Sequence, residues 1–166
     1  MDFEWELKRL SLKADIKKNE PMAVHTSWKV GGPADYFIVP EQAGEISAVA
    51  RLCKKYGLPL TVMGNGTNLL VREGGLRGVV LKIGPPFQYI TREGTKVRVG
   101  AGTPMPLLAR ATATQGLAGL EPAGGIPGTV GGALIMNAGA FGVYIGDLVE
   151  EVTVVDINNR VGEVKK

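Results

Sequence analysis

The chain begins with apolar side chains spaced among charged ones at intervals close to the period of a helix. Within residues 2–17 the apolar positions are Phe3, Leu7, Leu10, Ala14 and Ile16. Positions three and four apart share one face of an α-helix. The spacing therefore predicts a surface helix ahead of the main fold.

The next segment changes from extended to helical spacing. Extended pieces are predicted at residues 27–30 and 36–39, with Gly31-Gly32-Pro33 as the turn between them. After Pro40 a helix is predicted that ends at Gly57, from apolar residues at helical spacing: Ile46, Val49, Ala50, Cys53 and Tyr56. The apolar run LPLTVMG comes directly afterwards and predicts a strand buried on both faces, so the unit is β-α-β with parallel strands.

The second half predicts a strand pair, a helix and a final hairpin. Strands are predicted at residues 87–90 and 96–99, and GVVLKI predicts a further strand before them. Thr103 is predicted to cap a helix that has Pro104 at its first position and Leu107, Leu108 and Ala111 on its buried face. VEEVTVVDI predicts a strand, Asn158-Asn159 a turn, and RVGEV the start of the returning strand.

Two consecutive prolines suggest where the chain divides. Gly84-Pro85-Pro86 interrupts both helix and strand pairing, so a boundary is predicted there. We expect an N-terminal helix over residues 1–20, a first lobe over 21–84, and an incomplete second lobe over 85–166.

Composition narrows the class of protein. The chain has 166 residues, and its hydrophobic fraction of 45% is enough for a core, which excludes a disordered chain. Its 24 glycines show no three-residue period, which excludes collagen. A net charge of +3 with only 6% aromatic residues favours a small anionic ligand over nucleic acid. One cysteine, no signal-peptide pattern and no apolar run of bilayer length predict a cytoplasmic protein without membrane contact.

The loop Gly64-Asn65-Gly66-Thr67-Asn68 is the first candidate for ligand chemistry. It follows a predicted buried strand, so its N–H groups would lie at the carboxyl edge of a sheet, where phosphate-type ligands bind. It is not a Walker loop, and Leu69 occupies the third glycine position of the Rossmann fingerprint. A tight turn between strands is the structural alternative.

A second group of small residues follows in the other half. In GGIPGTVGG, over residues 124–132, the missing side chains would let a flat or extended ligand approach the main chain. Asn137-Ala138-Gly139-Ala140 adds an amide that can donate and accept hydrogen bonds. Close packing of backbones without any ligand is the alternative.

Other reactive residue types are interpreted as structural. His25 has no metal-ligand spacing to another residue and is placed at a strand edge, so no metal site is expected. Cys53 lies on the apolar face of a helix and is predicted to be a core residue. No acid–base pair can be chosen among Glu121, Asp147, Glu150 and Glu151.

Three segments in this order carry a family resemblance: HTSWKVGGPADYF, VMGNGTNLLV and PAGGIPGTVGGALIMNAGAFG. They resemble the UDP-N-acetylenolpyruvoylglucosamine reductase family, also called UDP-N-acetylmuramate dehydrogenase. The resemblance implies an α+β, two-lobed FAD-binding domain of the vanillyl-alcohol oxidase / UDP-N-acetylmuramate dehydrogenase type, with the flavin between the lobes near Gly84. The loop chemistry leads us to expect noncovalent FAD, and we expect a monomer.

The resemblance assigns the two loop groups to different parts of FAD. The first group would hold the pyrophosphate through backbone amides and through the Thr67 and Asn68 side chains; it comprises Met63, Gly64, Asn65, Gly66, Thr67, Asn68 and Leu69. The second group would line the ribityl chain and isoalloxazine; it comprises Pro122, Ala123, Gly124, Gly125, Ile126, Gly128, Thr129, Gly131, Gly132, Asn137, Ala138, Gly139 and Ala140. The family usually has Ser where Thr67 stands, which keeps the hydroxyl.

The family reaction implies NADPH as reductant and a UDP-sugar enolpyruvate as substrate, giving UDP-N-acetylmuramate for peptidoglycan. The family's Tyr-Arg-x-Ser segment, proton-donating Ser and later Glu have no counterpart before Lys166. Catalytic residues are therefore expected downstream of Lys166, and this chain alone is expected to be inactive. The alternatives are another flavin oxidase of the same superfamily, with FAD linked through His or Cys, and a non-catalytic flavin-binding module.

Overall fold

The structure is a computed structural model that describes residues 2–155 and, for the backbone, 161–165. Its residues form two compact units. One comprises Met1–Ile83 with Glu151–Lys166, and the other is Gly84–Glu150.

The predicted N-terminal helix is shorter than its apolar spacing suggested. Helix α1 spans Phe3–Arg9 and is capped by Asp2, whose Oδ1 accepts a hydrogen bond from the Trp5 N–H at 2.9 Å. The prediction that it continues to residue 17 is wrong. Strand β1 spans Asp15–Pro21 and pairs antiparallel with β2 at Pro33–Val39, so a sheet ladder satisfies the backbone groups that a longer helix would have used.

The first unit contains a four-stranded sheet that confirms the predicted β-α-β organisation. Helix α2 spans Ala43–Tyr56 and connects β2 to β3 at Leu60–Met63, while β4 at Leu76–Lys82 lies between them. The sheet order is β1-β2-β4-β3, and β2 and β3 both run parallel to β4. Gly57 ends α2 in the left-handed conformation, as predicted.

Strand β3 is not buried on both faces, contrary to the prediction. It lies at the edge of the sheet, and Val62 is 59% exposed. The central strand β4 supplies the fully buried run Val79, Val80 and Leu81. A short apolar run reports hydrophobicity, but strand order decides which strand is central.

The two faces of this sheet have different covers. Helices α1 and α2 pack on one face, with Phe3, Val49 and Cys53 against Ile38 and other core residues. On the opposite face Met22 and Val71 pack against Phe37, Met63 and Val80 without a covering α-helix. The loop cover of this second face is what positions the first candidate site.

That cover begins with a 3-10 turn at Met22–Val24 and continues as irregular chain. The strand predicted at residues 27–30 does not form. The Thr26 hydroxyl donates to the Val30 carbonyl at 3.0 Å, and the Gly32 N–H donates to the Arg72 carbonyl at 2.9 Å. Side-chain and loop contacts therefore replace the ladder that a strand would have needed.

The second unit begins with the predicted strand pair, at a shifted position. Strand β5 spans Ile90–Glu93 and pairs antiparallel with β6 at Lys96–Val99. The first strand was predicted at 87–90, but Pro85–Phe87 forms a 3-10 turn, so pairing starts later.

The rest of this unit packs around helix α3, which spans Met105–Thr114. Pro104 is its cap residue, and the predicted cap Thr103 instead exchanges hydrogen bonds with the Tyr89 backbone through its hydroxyl, both at 3.2 Å. The remaining elements are α4 at Val130–Ile135, β7 at Gly139–Ala140, β8 at Val143–Tyr144 and α5 at Ile145–Leu148. Their core includes Met105, Leu108, Ala133 and Ile145.

The chain returns to the first unit in a final antiparallel pair. Strand β9 spans Glu151–Val155 and β10 spans Val161–Lys165, which confirms the predicted pairing. The sequence placed these strands in the second lobe, whereas β9 contacts α2 and is grouped with the first unit. The predicted turn at Asn158-Asn159 lies outside the described residues. Among the described helices, none combines the length and apolar character needed to cross a bilayer.

Candidate functional site

The first candidate loop, residues 64–68, starts where β3 ends. Met63 at the end of β3 is paired with Lys82 at the end of the parallel strand β4. The loop therefore lies at the carboxyl edge of the parallel strands, which is where open α/β sheets bind ligands. The structural alternative of a tight turn between neighbouring strands is not what forms, because residues 69–75 separate the loop from β4.

Gly66 is fixed by the protein itself. It is buried and has φ +65°, and a Cβ there would overlap the carbonyl group of His25 and lie 2.9 Å from Met63 Cε. The Ser27 N–H donates to the Gly66 carbonyl at 3.2 Å. Glycine is therefore required here because the loop packs against residues 25–27.

The same packing leaves several loop donors available. Among the residues the structure describes, the backbone N–H groups of Asn65, Gly66 and Asn68 donate to no protein acceptor. Asn65 and Asn68 are exposed, and Thr67 is half-buried. Successive unpaired N–H groups in a loop with positive φ form an anion-binding concavity.

A cleft of about 140 Å³ lies beside this loop. Its lining residues are Val24, His25, Thr26, Ser27, Lys29, Asn65 and Lys82. Sequence reasoning assigned only Asn65 to a site. His25, Thr26, Ser27 and Lys29 belong to a segment that carried the family resemblance, but no binding role was assigned to them. The cleft forms because the 22–32 segment folds over the second face of the sheet.

His25 forms part of the cleft through three separate contacts. Its Nε2 is 2.8 Å from Glu20 Oε1, its ring stacks on Phe37 with 4.1 Å between centroids, and its carbonyl group faces Gly66. The hydrogen bond with His25 lowers the pKa of the Glu20 carboxyl. The interpretation of His25 as a strand-edge residue is wrong, since it follows the 3-10 turn and fills the space between the loop and the sheet.

The second candidate loop, residues 124–132, is held by hydrogen bonds to residues 101–105. The Met105 N–H donates to the Gly128 carbonyl at 3.0 Å, and Gly128 has φ +113°. The Val130 and Gly131 N–H groups donate at 2.9 Å to the carbonyls of Thr103 and Ala101. These bonds fix the path of the glycine-rich backbone independently of any ligand.

The glycines of this loop fall into two kinds. At Gly131 an added Cβ would lie 3.0 Å from Ala101 Cβ and 3.1 Å from the Ala101 carbonyl oxygen, which is closer than ordinary van der Waals contact, so the glycine lies tightly against Ala101. At Gly125 an added Cβ would meet no atom within 4 Å, and Gly125 is exposed without positive φ. Neither packing nor conformation requires glycine at Gly125, which leaves approach by another molecule as a reason for it.

Asn137 has a more restricted role than its amide suggested. Its Oδ1 accepts a hydrogen bond from the Gly146 N–H at 3.1 Å, and the residue has φ +42°. The acceptor that sequence analysis offered to a ligand is therefore used within the protein. Beside it the apolar side chains of Ile135 and Phe141 are 87% and 94% exposed.

The remaining candidates of the sequence have structural partners. Cys53 is buried in the core as predicted, and burial raises the pKa of its thiol to about 11. The Gly119 N–H donates to Glu121, the Tyr144 N–H donates to Asp147, and Lys96 pairs with Glu150 at 2.6 Å. The described portion of the chain contains no group of three or more His, Cys, Asp or Glu residues arranged for a metal ion.

Comparison with known families decides the class of the domain. The sequence profile described as "FAD binding domain" matches residues 34–165, which include both candidate loops. The chain belongs to this family of FAD-binding domains.

Relatives of this FAD-binding domain share one name. It is 43% identical over 93% of its length to UDP-N-acetylenolpyruvoylglucosamine reductase of Desulforamulus reducens, and covers 51% of that protein. It is 40% identical over its full length to the reductase of Clostridium novyi and covers 54% of it. The chain thus spans about half the length of the curated relatives it matches.

Solved structures agree on the fold. The crystal structure of UDP-N-acetylenolpyruvylglucosamine reductase from Thermus caldophilus matches 86% of the chain with TM-score 0.69 and 35% identity, over 48% of its own length. A 6-hydroxy-D-nicotine oxidase from Arthrobacter nicotinovorans matches 94% of the chain with TM-score 0.71 over 36% of its own length. At 21% identity this second likeness shows the fold alone. The fold is thus the FAD-binding domain type that the resemblance implied.

The residues present fit FAD chemically. In the part of the chain that the structure describes, Asn65, Gly66 and Asn68 offer backbone N–H donors without a protein acceptor, of the kind that bind phosphates, and Gly125 offers bare backbone. The exposed side chains of Ile135 and Phe141 offer apolar surface of the kind that an aromatic ring system can cover. Each unit of this FAD-binding domain therefore carries a part of the chemistry that a dinucleotide requires.

Proposed function

We propose that the chain binds FAD noncovalently and forms the FAD-binding part of an NADPH-dependent UDP-N-acetylenolpyruvoylglucosamine reductase. The pyrophosphate would be held by residues 63–69. The ribityl chain and isoalloxazine would be lined by residues 122–126, 128–129, 131–132 and 137–140. The substrate would be the UDP-sugar enolpyruvate and the product UDP-N-acetylmuramate.

The observation that supports this most strongly is the similarity to reductases over the whole chain. Identities of 40% and 43% extend across both candidate loops and both units. Likeness of fold alone would equally support an oxidase, because the nicotine oxidase has a similar TM-score. The sequence identity to the reductases is what separates the two.

In this proposal the chain contributes binding and orientation. Bound FAD would supply hydride transfer, accepting hydride from NADPH and delivering it to the enolpyruvyl double bond. The N–H groups of residues 65, 66 and 68 would neutralise phosphate charge. Bare backbone at Gly125 would let the cofactor lie against the main chain without a side chain between them.

The biological setting follows from the reaction. UDP-N-acetylmuramate is a precursor of peptidoglycan, so the proposed role is in cell-wall biogenesis and through it in cell shape and division. A cytoplasmic monomer that requires neither nucleic acid nor a membrane is part of the proposal. In this proposal the 166 residues bind and orient FAD, and no described residue is assigned to protonate or stabilise the substrate.

The test is anaerobic reduction of a form of the protein as long as the reductases that it matches. NADPH should bleach its flavin, and the UDP-sugar enolpyruvate should restore the oxidised spectrum with formation of UDP-N-acetylmuramate. Denaturation should release all of the FAD. Flavin that stays attached after denaturation, or that is reduced by an alcohol and not by NADPH, would replace the reductase with an oxidase of the same fold.

A further inference from the structure

Lys82 stands at the carboxyl edge of the sheet without a partner. It ends β4 beside Met63, directly where the 64–68 loop begins, and it lines the cleft next to Asn65. It is half-buried, and in the part of the chain that the structure describes its side chain forms no ion pair and no hydrogen bond. A lysine in this position loses part of its hydration, which costs free energy, and no carboxylate compensates for that cost.

The surroundings of Lys82 are electropositive and its charge is not compensated. Burial lowers the pKa of Lys82, and repulsion from Lys17 lowers it further. Lys17 is itself shared between Asp15 at 3.7 Å and Glu20 at 3.5 Å. The Glu20 carboxylate is also bound to His25, so it is already occupied by other partners.

The other groups around the cleft have complementary chemistry. Lys29 lines it as a second cation with no ion-pair partner among the described residues. Ser27 lines it with a hydroxyl, and the Asn65 N–H group lacks an acceptor. The two lysine ammonium groups and the amide N–H can only donate hydrogen bonds, and the Ser27 hydroxyl can donate one. A phosphate group can accept hydrogen bonds from all of them.

We infer that the cleft is a subsite for the diphosphate of a bound nucleotide, with Lys82 as its principal charged side chain and Lys29 as the second. This rests on the proposed function, because FAD is the nucleotide concerned. It goes beyond it by adding charged side chains outside the 63–69 loop to the backbone donors within that loop. The 22–29 segment thereby becomes a part of the binding site and not only a cover for the sheet.

The inference predicts that the charge of Lys82 matters for nucleotide binding and that a lysine away from the cleft, such as Lys13, does not. The variants are Lys82→Met, Lys82→Arg and Lys13→Met, the last removing an exposed lysine so that net charge falls equally. Dissociation constants for FAD and ADP are measured with the 166-residue chain at low and high salt, with the thermal midpoint as a check on folding. A charge-assisted hydrogen bond to phosphate corresponds to roughly a tenfold change in affinity or more.

We expect Lys82→Met to raise the dissociation constants for FAD and ADP by about tenfold at low salt and by less at high salt. Lys82→Arg should restore most of the affinity, and Lys13→Met should match the parent. If Lys82→Met binds FAD and ADP as tightly as the parent, the subsite is wrong while the proposed function stands. If the parent binds no FAD but binds ADP in a Lys82-dependent manner, the diphosphate subsite stands and the proposed function fails. Binding of UDP in preference to both FAD and ADP would assign the cleft to the diphosphate of another nucleotide and overturn its assignment to FAD.

Discussion

Replacing Gly66 with alanine tests the packing that holds the first candidate loop. Gly66 has φ +65°, and a Cβ would overlap the His25 carbonyl group and lie 2.9 Å from Met63 Cε. Gly57 provides a matched control. It has φ +62° at the end of α2, and a Cβ there would meet no atom within 4 Å.

The two substitutions share one cost and differ in the other. A non-glycine residue in the left-handed region costs about 1–2 kcal/mol, and both variants should lose this amount. Overpacking against a backbone group adds about 1–3 kcal/mol, and only Gly66→Ala should lose it. Gly66→Ala should therefore lower the free energy of unfolding by about 2–5 kcal/mol and Gly57→Ala by about 1–2 kcal/mol.

The assay is urea unfolding of both variants and the parent, followed by FAD titration in buffer. Both glycines belong to the same compact unit, so one unfolding transition reports on both. Only Gly66→Ala should also weaken FAD binding, because relief of the overlap requires the 64–68 loop to move away from residues 25–27. Equal destabilisation by the two variants would refute the contact between Gly66 and His25.

Three further predictions concern other parts of the chain. Gly131→Ala should lower the free energy of unfolding by about 1–3 kcal/mol. Gly125→Ala should leave the thermal midpoint unchanged and weaken FAD binding. Loss of stability in Gly125→Ala but not in Gly131→Ala would contradict the distinction between a glycine packed against Ala101 and a glycine with space around it. Glu20→Gln should lower the free energy of unfolding by roughly 1–3 kcal/mol at neutral pH. Because the pKa of Glu20 is lowered in the folded protein, the stability that its carboxylate contributes is present above the ordinary pKa of 4.5 and is lost as the pH falls through the folded pKa. Urea midpoints of the parent and Glu20→Gln should therefore converge in acid, and a constant difference would argue against the His25 pair. Cys53, with a pKa of about 11, should react with a disulfide reagent at pH ~8 only as fast as the protein unfolds, and rapid reaction in the native state would place it outside the core.

The elements with strong local signals were predictable from sequence. Helix α2 has apolar residues at helical spacing and ends at Gly57, and both features survive folding. The β-α-β unit followed because a strand, a helix and a strand occur in that order. Cys53 was placed in the core by the same helical spacing.

The errors arose where tertiary pairing overrides local pattern. Residues 10–17 have near-helical spacing, yet Asp15–Pro21 pairs antiparallel with β2 and becomes a strand. Strand β3 is as apolar as a central strand, but β4 inserts between it and β2, and Val62 is left exposed. Strand order is a long-range property that a single segment does not encode.

The candidate site was predictable only for its glycine loops. Residues 64–68 and 124–132 stand out because they combine several glycines with small polar residues. The glycine count could not separate Gly131, which packs against Ala101, from Gly125, which has space around it. Lys82 gave no signal, because it is one lysine in an apolar strand and becomes notable only when burial and the missing partner are known.

Titration of the purified chain with FAD tests the central claim most directly. The account predicts saturable binding of one FAD per chain, a flavin spectrum that differs from that of free FAD, and complete release of unmodified FAD on denaturation. A chain that is folded by circular dichroism and binds no FAD at any concentration in the titration would contradict it.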